Sequence, residues 1–250
     1  MMIIPFMSCS ARFPIYAVFA AALFTDNQAL AVYSMYILGI AVAILSGIFL
    51  KRFVTKGTLS SFIMELPEYH RPTVRNLAMH TWDKVRGFVV KAGTVLLLAS
   101  VVIYLMSTFT LTLQPATQQV DSIIGSIGTF IAPIFAPLGF GDWKSSISLL
   151  VGFVAKEAVV STLGVLHGVG GNAADNASAL LGPIRAAYTP LSGFAFMTFT
   201  LLYLPCIAAF ATLKREMNSW KWTFIAVGYQ TGVAYVLALL IYQGGKLMGF

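Results

Sequence analysis

The stretch Ala29–Leu50, ALAVYSMYILGIAVAILSGIFL, contains no charged residue and decides the class of fold. As an α-helix it would be about 33 Å long, which is enough to cross the roughly 30 Å hydrocarbon layer of a bilayer. The whole chain fits such an environment, because 58% of its 250 residues are hydrophobic and only 10% are charged, against about 25% in soluble domains. We therefore expect an all-α membrane protein.

Apolar segments on both sides of this helix predict a polytopic transmembrane bundle with about seven membrane segments. Prolines interrupt the first, fourth and sixth of them, so we expect discontinuous helices there, whereas the fifth is expected to be one helix with two charged residues near its centre. Between the second and third, Thr73–Arg86 has apolar residues at helical spacing, which predicts an amphipathic helix on the membrane surface. The seven segments are Met1–Phe24, Ala29–Leu50, Gly87–Leu113, Ser122–Phe140, Ser145–Leu166, Leu191–Leu213 and Trp222–Tyr242.

Basic residues cluster in two loops, Lys51–Arg86 and Lys214–Lys221, and this asymmetry predicts the orientation of the bundle. Both loops are predicted to face the cytoplasm, with the N-terminus inside and the C-terminus outside. This requires an odd number of spans between Leu113 and Lys214. Two other predicted spans lie there, so Ser122–Phe140 must be the third. A re-entrant Ser122–Phe140 would instead reverse the orientation of every later segment. The net charge of +7 is explained by topology and does not indicate nucleic-acid binding.

Two adjacent charged residues, Lys156 and Glu157, lie near the centre of Ser145–Leu166. A charge at mid-bilayer costs about 2.5–3.5 kcal/mol on insertion, and intramembrane carboxylates usually mark a pathway for ions. One interpretation is that Glu157 lines a cation path. The alternative is a structural charge that a neighbouring helix satisfies.

The two cysteines of the chain, Cys9 and Cys206, lie in interrupted segments close to prolines. Proline leaves a carbonyl without its intrahelical donor, and free carbonyls at membrane depth are tolerated where they line a cavity or are buried in protein. A thiol beside such a break can bind a transition metal once it is deprotonated. A lone buried cysteine, however, more often serves as a small hydrophobic residue.

A proline, a cysteine and an alanine follow one another in both the first and the sixth segment, and a short turn and an unbroken helix come after each. By the predicted topology the two segments run in opposite directions. That is the arrangement of an inverted repeat with discontinuous helices, which secondary transporters use. The repeated residues are Pro5, Cys9 and Ala11 in the first segment and Pro205, Cys206 and Ala208 in the sixth.

A polar motif, MELPEYHRP (Met64–Pro72), lies at the predicted cytoplasmic mouth. Its Glu65 could receive a divalent cation, although the residue types by themselves favour a plain acidic turn before the amphipathic helix. The sequence has no phosphate-binding loop, zinc-protease motif or nucleophile elbow. We therefore expect that this chain is not an enzyme.

Four ordered motifs resemble the membrane region of the bacterial ferrous iron transport protein B (FeoB) family, over nearly the whole chain. The resemblance implies a multi-pass protein of the bacterial cytoplasmic (inner) membrane that imports Fe(II), with two gate regions and no permanently bound cofactor. It also implies that Cys9 and Cys206 are the gate cysteines and that Glu65 and Glu157 are acidic positions of the family. The motifs are PFMSCSARFPIYAVFAAALF (Pro5–Phe24), MELPEYHRP (Met64–Pro72), AKEAVVSTLGVLHG (Ala155–Gly168) and LLYLPCIAAFATLKRE (Leu201–Glu216).

The family pattern divides the chain into four regions. We expect the GTPase domain of the family, its helical linker and a Gly-Cys-Asn-x-Pro motif to be absent from this chain, as in a truncated gene product, one part of a split transporter, or a fragment. The regions are a partial first gate (1–50), a cytoplasmic loop with the amphipathic helix (51–86), linking membrane helices (87–140) and a second gate region (141–250).

Two functions from different classes are open. In one, the chain is the permease part of an Fe(II) importer, with Cys9, Cys206 and Glu157 along the path and Glu65 near the cytoplasmic face. Sulfur and carboxylate ligands suit Fe(II) but do not exclude Mn(II), Zn(II) or Co(II). In the other, it is a non-transporting scaffold or assembly subunit. The expected partners are Fe(II), membrane lipid, a separate GTPase-bearing polypeptide or small Feo accessory proteins, and further copies of the chain in a homo-oligomer, but no nucleic acid.

Overall fold

The computed structural model describes residue 3 and residues 6–53, 73–109, 122–168, 177–203 and 205–249. Within these ranges the backbone is helical apart from short connections, which confirms the predicted all-α fold. Two 3-10 turns, Ser10–Arg12 and Ala136–Leu138, precede α1 and follow α4. The helices are α1 (Phe13–Leu23), α2 (Gln28–Phe53), α3 (Val74–Thr108), α4 (Ile123–Phe135), α5 (Trp143–Val154), α6 (Ala158–Leu166), α7 (Ala177–Ala187), α8 (Pro190–Leu202), α9 (Ile207–Met217) and α10 (Trp220–Leu247).

The helices α2 and α10 have the length and composition of membrane spans. Over the described ranges, these two are long and apolar enough to cross a membrane alone, as Gln28–Arg52 and Trp220–Leu247. Leu30, Ile44 and Leu240 each leave more than half of their side-chain surface outside the fold. Such continuous apolar surface is disfavoured in water, and a bilayer is the environment that covers it.

The helix α8 lies at the centre of the fold, with ten of its 13 residues buried. Thr189 and Ser192 begin it with reciprocal capping hydrogen bonds, and Pro190 is tolerated in the first turn because its missing N–H has no helical partner there. Around α8 pack α1, α2 and α10, and Phe19 of α1 stacks on Phe196 of α8. The helices α1, α2 and α10 are therefore positioned in part by their contacts with α8.

One continuous helix, α3, contains both the predicted surface helix (Thr73–Arg86) and most of the predicted span that follows it (Gly87–Leu113). No proline lies between residues 74 and 108, so nothing interrupts the backbone hydrogen bonds. At 1.5 Å per residue α3 is about 52 Å long. Its first turns are exposed all round, including Val74 and Trp82, so the amphipathic segment is the first part of a longer helix.

The predicted span Ser145–Leu166 is instead two helices, α5 and α6, separated by Ala155–Glu157. The helix α6 packs back against α5, and Leu166 at its far end belongs to the same apolar cluster as Ile147 of α5. Before this pair, Gly139 turns the chain with a positive φ of 86°, and α4 with its 3-10 turn meets α5 at 100°. The pair α5–α6 is therefore a helical hairpin and not one straight helix.

The seven membrane segments and the inverted repeat are not confirmed by this architecture. Besides α2 and α10, the described residues contain one bent pair, Ile123–Leu138 with Trp143–Val154, that passes the same test of length and apolarity. Length and composition thus identify two spans, or three if the bent pair counts as one.

Candidate functional site

The candidate site consists of three interruptions of the helices. The first break, Met7–Arg12, precedes α1; the second break, Ala155–Glu157, is the tip of the α5–α6 hairpin; the third break, Tyr203–Cys206, separates α8 from α9. Leu204 within the third break lies outside the described residues. At each break the backbone leaves the helical pattern, so its carbonyl groups need partners from elsewhere.

Lys156 connects the second break to the third. Its side chain is only 2% exposed, and its Nζ donates to the carbonyl oxygens of Thr200, at 3.1 Å, and Tyr203, at 3.4 Å. The ammonium also lies 4.4 Å from the centroid of the Tyr203 ring, within cation–π distance. A single buried cation therefore holds the hairpin tip against the end of α8.

Helix termination explains why these carbonyls accept a lysine. Thr200 belongs to the last turn of α8, where carbonyls have no intrahelical donor, and Pro205 lacks the N–H that could continue the helix. A buried carbonyl without a partner costs about 1–3 kcal/mol. The Lys156 ammonium offsets that cost by donating to two of them.

Tyr203 is held in place by three contacts. Its hydroxyl donates to the Leu149 carbonyl at 3.0 Å, and its ring stacks on Phe199 with centroids 5.2 Å apart. Gly152 of α5 faces the same hydroxyl, and a Cβ at that position would overlap Tyr203 Oη and Val159. The absence of a side chain at residue 152 thus allows the close approach of α5 to the third break.

Arg12 closes the first break from within. It is 3% exposed, and its Nη1 donates to the Met7 carbonyl at 2.8 Å. Its backbone N–H donates to the Cys9 carbonyl at 3.1 Å, which completes the 3-10 turn. A second buried cation therefore stabilises non-helical backbone, here in its own segment.

The structure brings the two predicted cysteines to the same place. Both are free thiols; Cys9 is exposed and Cys206 is half-buried. Cys9, Cys206 and Arg12 all lie close enough to act electrostatically on the Lys156 ammonium. One cysteine of the first break and one of the third therefore lie within electrostatic range of the hairpin tip.

The two predicted acidic ligands do not join the cysteines. Glu157 is exposed and is not among the groups that act on Lys156, because adjacent residues at the tip point in different directions. Glu65 lies outside the described residues, as does the whole motif Met64–Pro72. In the parts of the chain that the structure describes, no three His, Cys, Asp or Glu side chains are grouped so that they could hold a metal ion.

Sequence reasoning missed the contributions of Lys156, Arg12 and Tyr203. It identified Lys156 as an unusual charge in an apolar segment but assigned the pathway to the neighbouring carboxylate. One signal could have found the lysine: Pro205 predicts free carbonyls at membrane depth, and a buried ammonium needs such acceptors. Pairing the two features requires knowing that the segments touch.

Two family models match the chain. Residues 32–84 match the model described as "Ferrous iron transport protein B C terminus". Residues 89–220, more than half of the chain, match the model named Gate, described as "Nucleoside recognition". No solved structure matches the chain.

Curated relatives match almost the entire chain. An Fe(2+) transporter FeoB of Staphylococcus aureus (strain COL) is 42% identical over 98% of this chain and 36% of its own length. An Fe(2+) transporter FeoB of Methanocaldococcus jannaschii is 38% identical over 98% of this chain and 36% of its own length. An Fe(2+) transporter FeoB of Salmonella paratyphi A is 34% identical over 97% of this chain and 37% of its own length.

The chain thus spans about a third of the length of the curated relatives that it matches. These relatives are Fe(2+) transporters by name. The four motifs, the two family models and the relatives all agree, and the chain belongs to the Fe(2+) transporter FeoB family, of which it contains the C-terminal and Gate regions.

Proposed function

We propose that this chain is the membrane permease part of an Fe(II) importer of the bacterial cytoplasmic membrane and that Fe(II) passes where the three breaks meet. One observation supports the proposal above all others: two free cysteines from opposite ends of the sequence lie within electrostatic range of the buried Lys156 at one hairpin tip. Interrupted helices supply main-chain oxygens at membrane depth, which is the means by which transporters bind ions away from water.

The ligand chemistry suits a borderline-soft divalent ion. Cys9 and Cys206 would supply sulfur, and thiolate ligands favour transition metals over Mg(II) or Ca(II). Glu157, exposed at the hairpin tip, and Glu65 are proposed to receive the ion before or after the sulfur site. We write Fe(II) as the cargo because the relatives are Fe(2+) transporters by name.

The contacts support a topology with fewer spans than seven. A cavity of about 450 Å³ is lined by Phe24, Thr189 and Tyr242, which end or begin segments at the predicted outer face. The Gln243 side chain donates to the Pro137 carbonyl at 2.9 Å, so the turn after α4 belongs to the same end of the molecule. We therefore propose that α4 lies at the outer end and does not cross.

The hairpin α5–α6 enters from that same end. The Ser145 hydroxyl shares a hydrogen bond with the Tyr188 hydroxyl, at the outer start of α8, while Lys156 at the tip reaches the far end of α8. In this proposal α5–α6 is re-entrant, and α8–α9 is the single span between α3 and Lys214. A single span between α3 and Lys214 still satisfies the requirement for an odd number of spans between the two basic loops. The predicted orientation, with the N-terminus inside and the C-terminus outside, is therefore kept.

Helix lengths support an inverted repeat. After Cys9 come the 11-residue α1 and the 26-residue α2, and after Cys206 come the 11-residue α9 and the 28-residue α10. Basic residues end α2 and precede α10, so the positive-inside rule gives the two long helices opposite directions. The four-region division of the chain (1–50, 51–86, 87–140 and 141–250) remains a prediction within this proposal.

The proposed partners follow from the relatives. A protein of Porphyromonas gingivalis, 35% identical, is named as a fusion of Fe(2+) transport protein A with Fe(2+) transporter FeoB, which supports association with small Feo accessory proteins. A GTPase on the same or a separate polypeptide, membrane lipid, and assembly of several copies complete the proposal.

The test is Fe(II) influx into liposomes that contain the purified chain, followed under anaerobic conditions with an internal fluorescent chelator. We expect Cys206→Ser and Cys9→Ser each to reduce influx at least about tenfold, the effect of losing roughly 1.4 kcal/mol of ion binding. Ser10→Ala, next to Cys9 and also exposed, is the matched control and should leave influx unchanged.

The alternative function is a scaffold without its own path. If Cys206→Ser and Glu157→Gln leave influx at the wild-type rate, while deletion of residues 51–86 abolishes association with a GTPase-bearing partner, the scaffold is supported and the permease proposal is wrong.

A further inference from the structure

The surroundings of the Lys156 ammonium have the composition of a cation-binding site. Two carbonyl oxygens accept its hydrogen bonds, from Thr200 and Tyr203, and the face of the Tyr203 ring lies 4.4 Å away. Each of these groups presents partial negative charge, and together they solvate a cation where water is excluded.

One more oxygen is available at the same break. The Thr200 hydroxyl is buried and has no hydrogen-bond partner among the residues that the structure describes, although its own carbonyl binds Lys156. Buried hydroxyls are nearly always hydrogen-bonded, so this atom is an unused polar group beside the ammonium.

Among the residues that the structure describes, no carboxylate belongs to the groups that act on the ammonium. The groups that act electrostatically on it are Arg12, Cys9 and Cys206, and the neighbouring Glu157 is exposed. Ammonium groups buried in proteins are usually paired with an anion. Here two neutral carbonyl oxygens and the Tyr203 ring solvate the ammonium. Neutral groups of this kind can bind any cation of suitable size.

We propose that the main-chain oxygens of Thr200 and Tyr203, with the ring of Tyr203, form a cation-binding cage, and that Lys156 is its built-in occupant. The cargo cation enters the cage by displacing the ammonium, a step that rests on the function proposed above. Displacement exchanges one partner of the carbonyl oxygens for another, so these oxygens keep a partner at both stages.

The geometry gives the exchange a mechanical consequence. Lys156 belongs to the tip that joins α5 to α6, and its bonds to Thr200 and Tyr203 tie that tip to α8. An ion in the cage repels both Lys156 and the nearby buried Arg12. Loading the cage therefore releases the hairpin tip, which couples ion binding to movement of α5–α6.

The first experiment tests the cage without any metal. In Lys156→Ala the cage is vacant, and ethylammonium chloride should fill it. With ligand well above its dissociation constant, we expect the thermal midpoint in detergent micelles to rise by about 2–4 °C relative to an equal concentration of sodium chloride. The wild type should not respond, because its cage is occupied.

The matched control is Lys144→Ala, which removes a lysine at the start of α5. Its ammonium lies over the Trp143 ring at 5.9 Å, at the end of α5 away from the Lys156 break. It should give no ethylammonium response. Equal responses of Lys156→Ala, Lys144→Ala and the wild type, including no response in all three, would overturn the cage.

The second experiment tests displacement and uses Lys156→Met, which keeps an unbranched apolar side chain and removes the charge. Co(II) serves as an air-stable probe, monitored by cobalt–thiolate absorption in the purified chain. We expect Lys156→Met to bind Co(II) at least about tenfold more tightly than the wild type, because no ammonium competes. Equal or weaker binding overturns displacement, and Lys144→Met should match the wild type.

The two experiments separate this proposal from the function that it extends. If wild type and Lys156→Met both lack the cobalt–thiolate band, the sulfur site and the cargo step are wrong. The ethylammonium response still decides whether the cage exists. Conversely, a cobalt–thiolate band that Cys206→Ser removes, together with no ethylammonium response, supports the sulfur site and overturns the cage.

Discussion

The first and third breaks are alike in sequence and differ in what closes them. Each has a free cysteine, then an 11-residue helix, then a long apolar helix. At the first break, Arg12 donates to the carbonyl of Met7, only five residues away. At the third, Lys156 donates to carbonyls 44 and 47 residues away.

The difference separates local from tertiary closure. The hydrogen bond from Arg12 to Met7 stays within one segment, so this contact does not require a neighbouring helix. A break closed by a distant lysine keeps its shape only while the α5–α6 tip is docked. We therefore expect the third break to be the part of the site that responds to ion binding, and the first break to be its fixed counterpart.

The largest expected effect is on stability after loss of Lys156. Lys156→Met leaves the Thr200 and Tyr203 carbonyls without their donor, and at about 1–3 kcal/mol for each we expect a loss of about 3 kcal/mol in unfolding free energy. Arg12→Met removes the donor to one carbonyl, so we expect about 1.5 kcal/mol. Circular dichroism during denaturant titration in micelles measures both. A larger loss of unfolding free energy for Arg12→Met than for Lys156→Met would contradict the conclusion that the third break depends more on its buried cation than the first.

The next effect concerns the close approach of α5 to the third break. Gly152→Ala adds a Cβ that overlaps Tyr203 Oη and Val159, and overpacking of this kind should cost about 2 kcal/mol. Gly228→Ala on α10, where nothing lies within 4 Å, is the control and should be neutral or slightly stabilising. The same titration measures both, and equal values would show that α5 is free to shift.

Thiol reactivity compares the two cysteines directly. Cys9 is exposed and Cys206 is half-buried. We therefore expect Cys9 in the Cys206→Ser protein to react with a water-soluble maleimide about tenfold faster than Cys206 does in the Cys9→Ser protein. A tenfold rate ratio corresponds to about 1.4 kcal/mol. Mass spectrometry of timed aliquots gives the rates. Faster reaction of Cys206 would mean that the third break opens in solution.

The smallest effect is on a single hydroxyl. Tyr203→Phe loses the buried hydrogen bond to the Leu149 carbonyl, which we expect to cost about 1 kcal/mol. Tyr235→Phe loses a hydrogen bond of the same 3.0 Å length to the Ile134 carbonyl, but at an exposed position, so its expected cost is below about 0.5 kcal/mol. Equal losses of unfolding free energy in the two variants would show that the Tyr203 hydroxyl does not stabilise the third break more than an exposed hydroxyl would.

Much of the fold could be predicted from the sequence, and the failures have a common cause. Helix α2 follows from 22 uncharged residues, and the breaks near Cys9 and Pro205 follow from prolines that interrupt apolar segments, whereas the break at Lys156 was not predicted. The path of the chain after a break could not be predicted. Whether α6 continues from α5 or folds back depends on packing, here of Leu166 near Ile147, and no residue within the segment decides it.

The candidate site shows the same division. The residue types required for it, two cysteines and a central charge, were evident in the sequence, but the sequence favoured Glu157 where the structure buries Lys156. A carboxylate and an ammonium are equally unusual in an apolar segment. The roles of Lys156 and Glu157 depend on which of the two side chains faces carbonyl oxygens from another part of the fold.

The amino-acid sequence by itself determined the environment of this chain, its helical class and the breaks beside its prolines, because hydropathy and proline act over a few residues. Only the tertiary structure decided that the chain folds back at Lys156, that Cys9 and Cys206 lie within electrostatic range of Lys156, and that the carbonyls of Thr200 and Tyr203 solvate it while Glu157 is exposed. Those outcomes depend on contacts between residues 44 or more apart in the sequence, and such contacts form only when the helices pack.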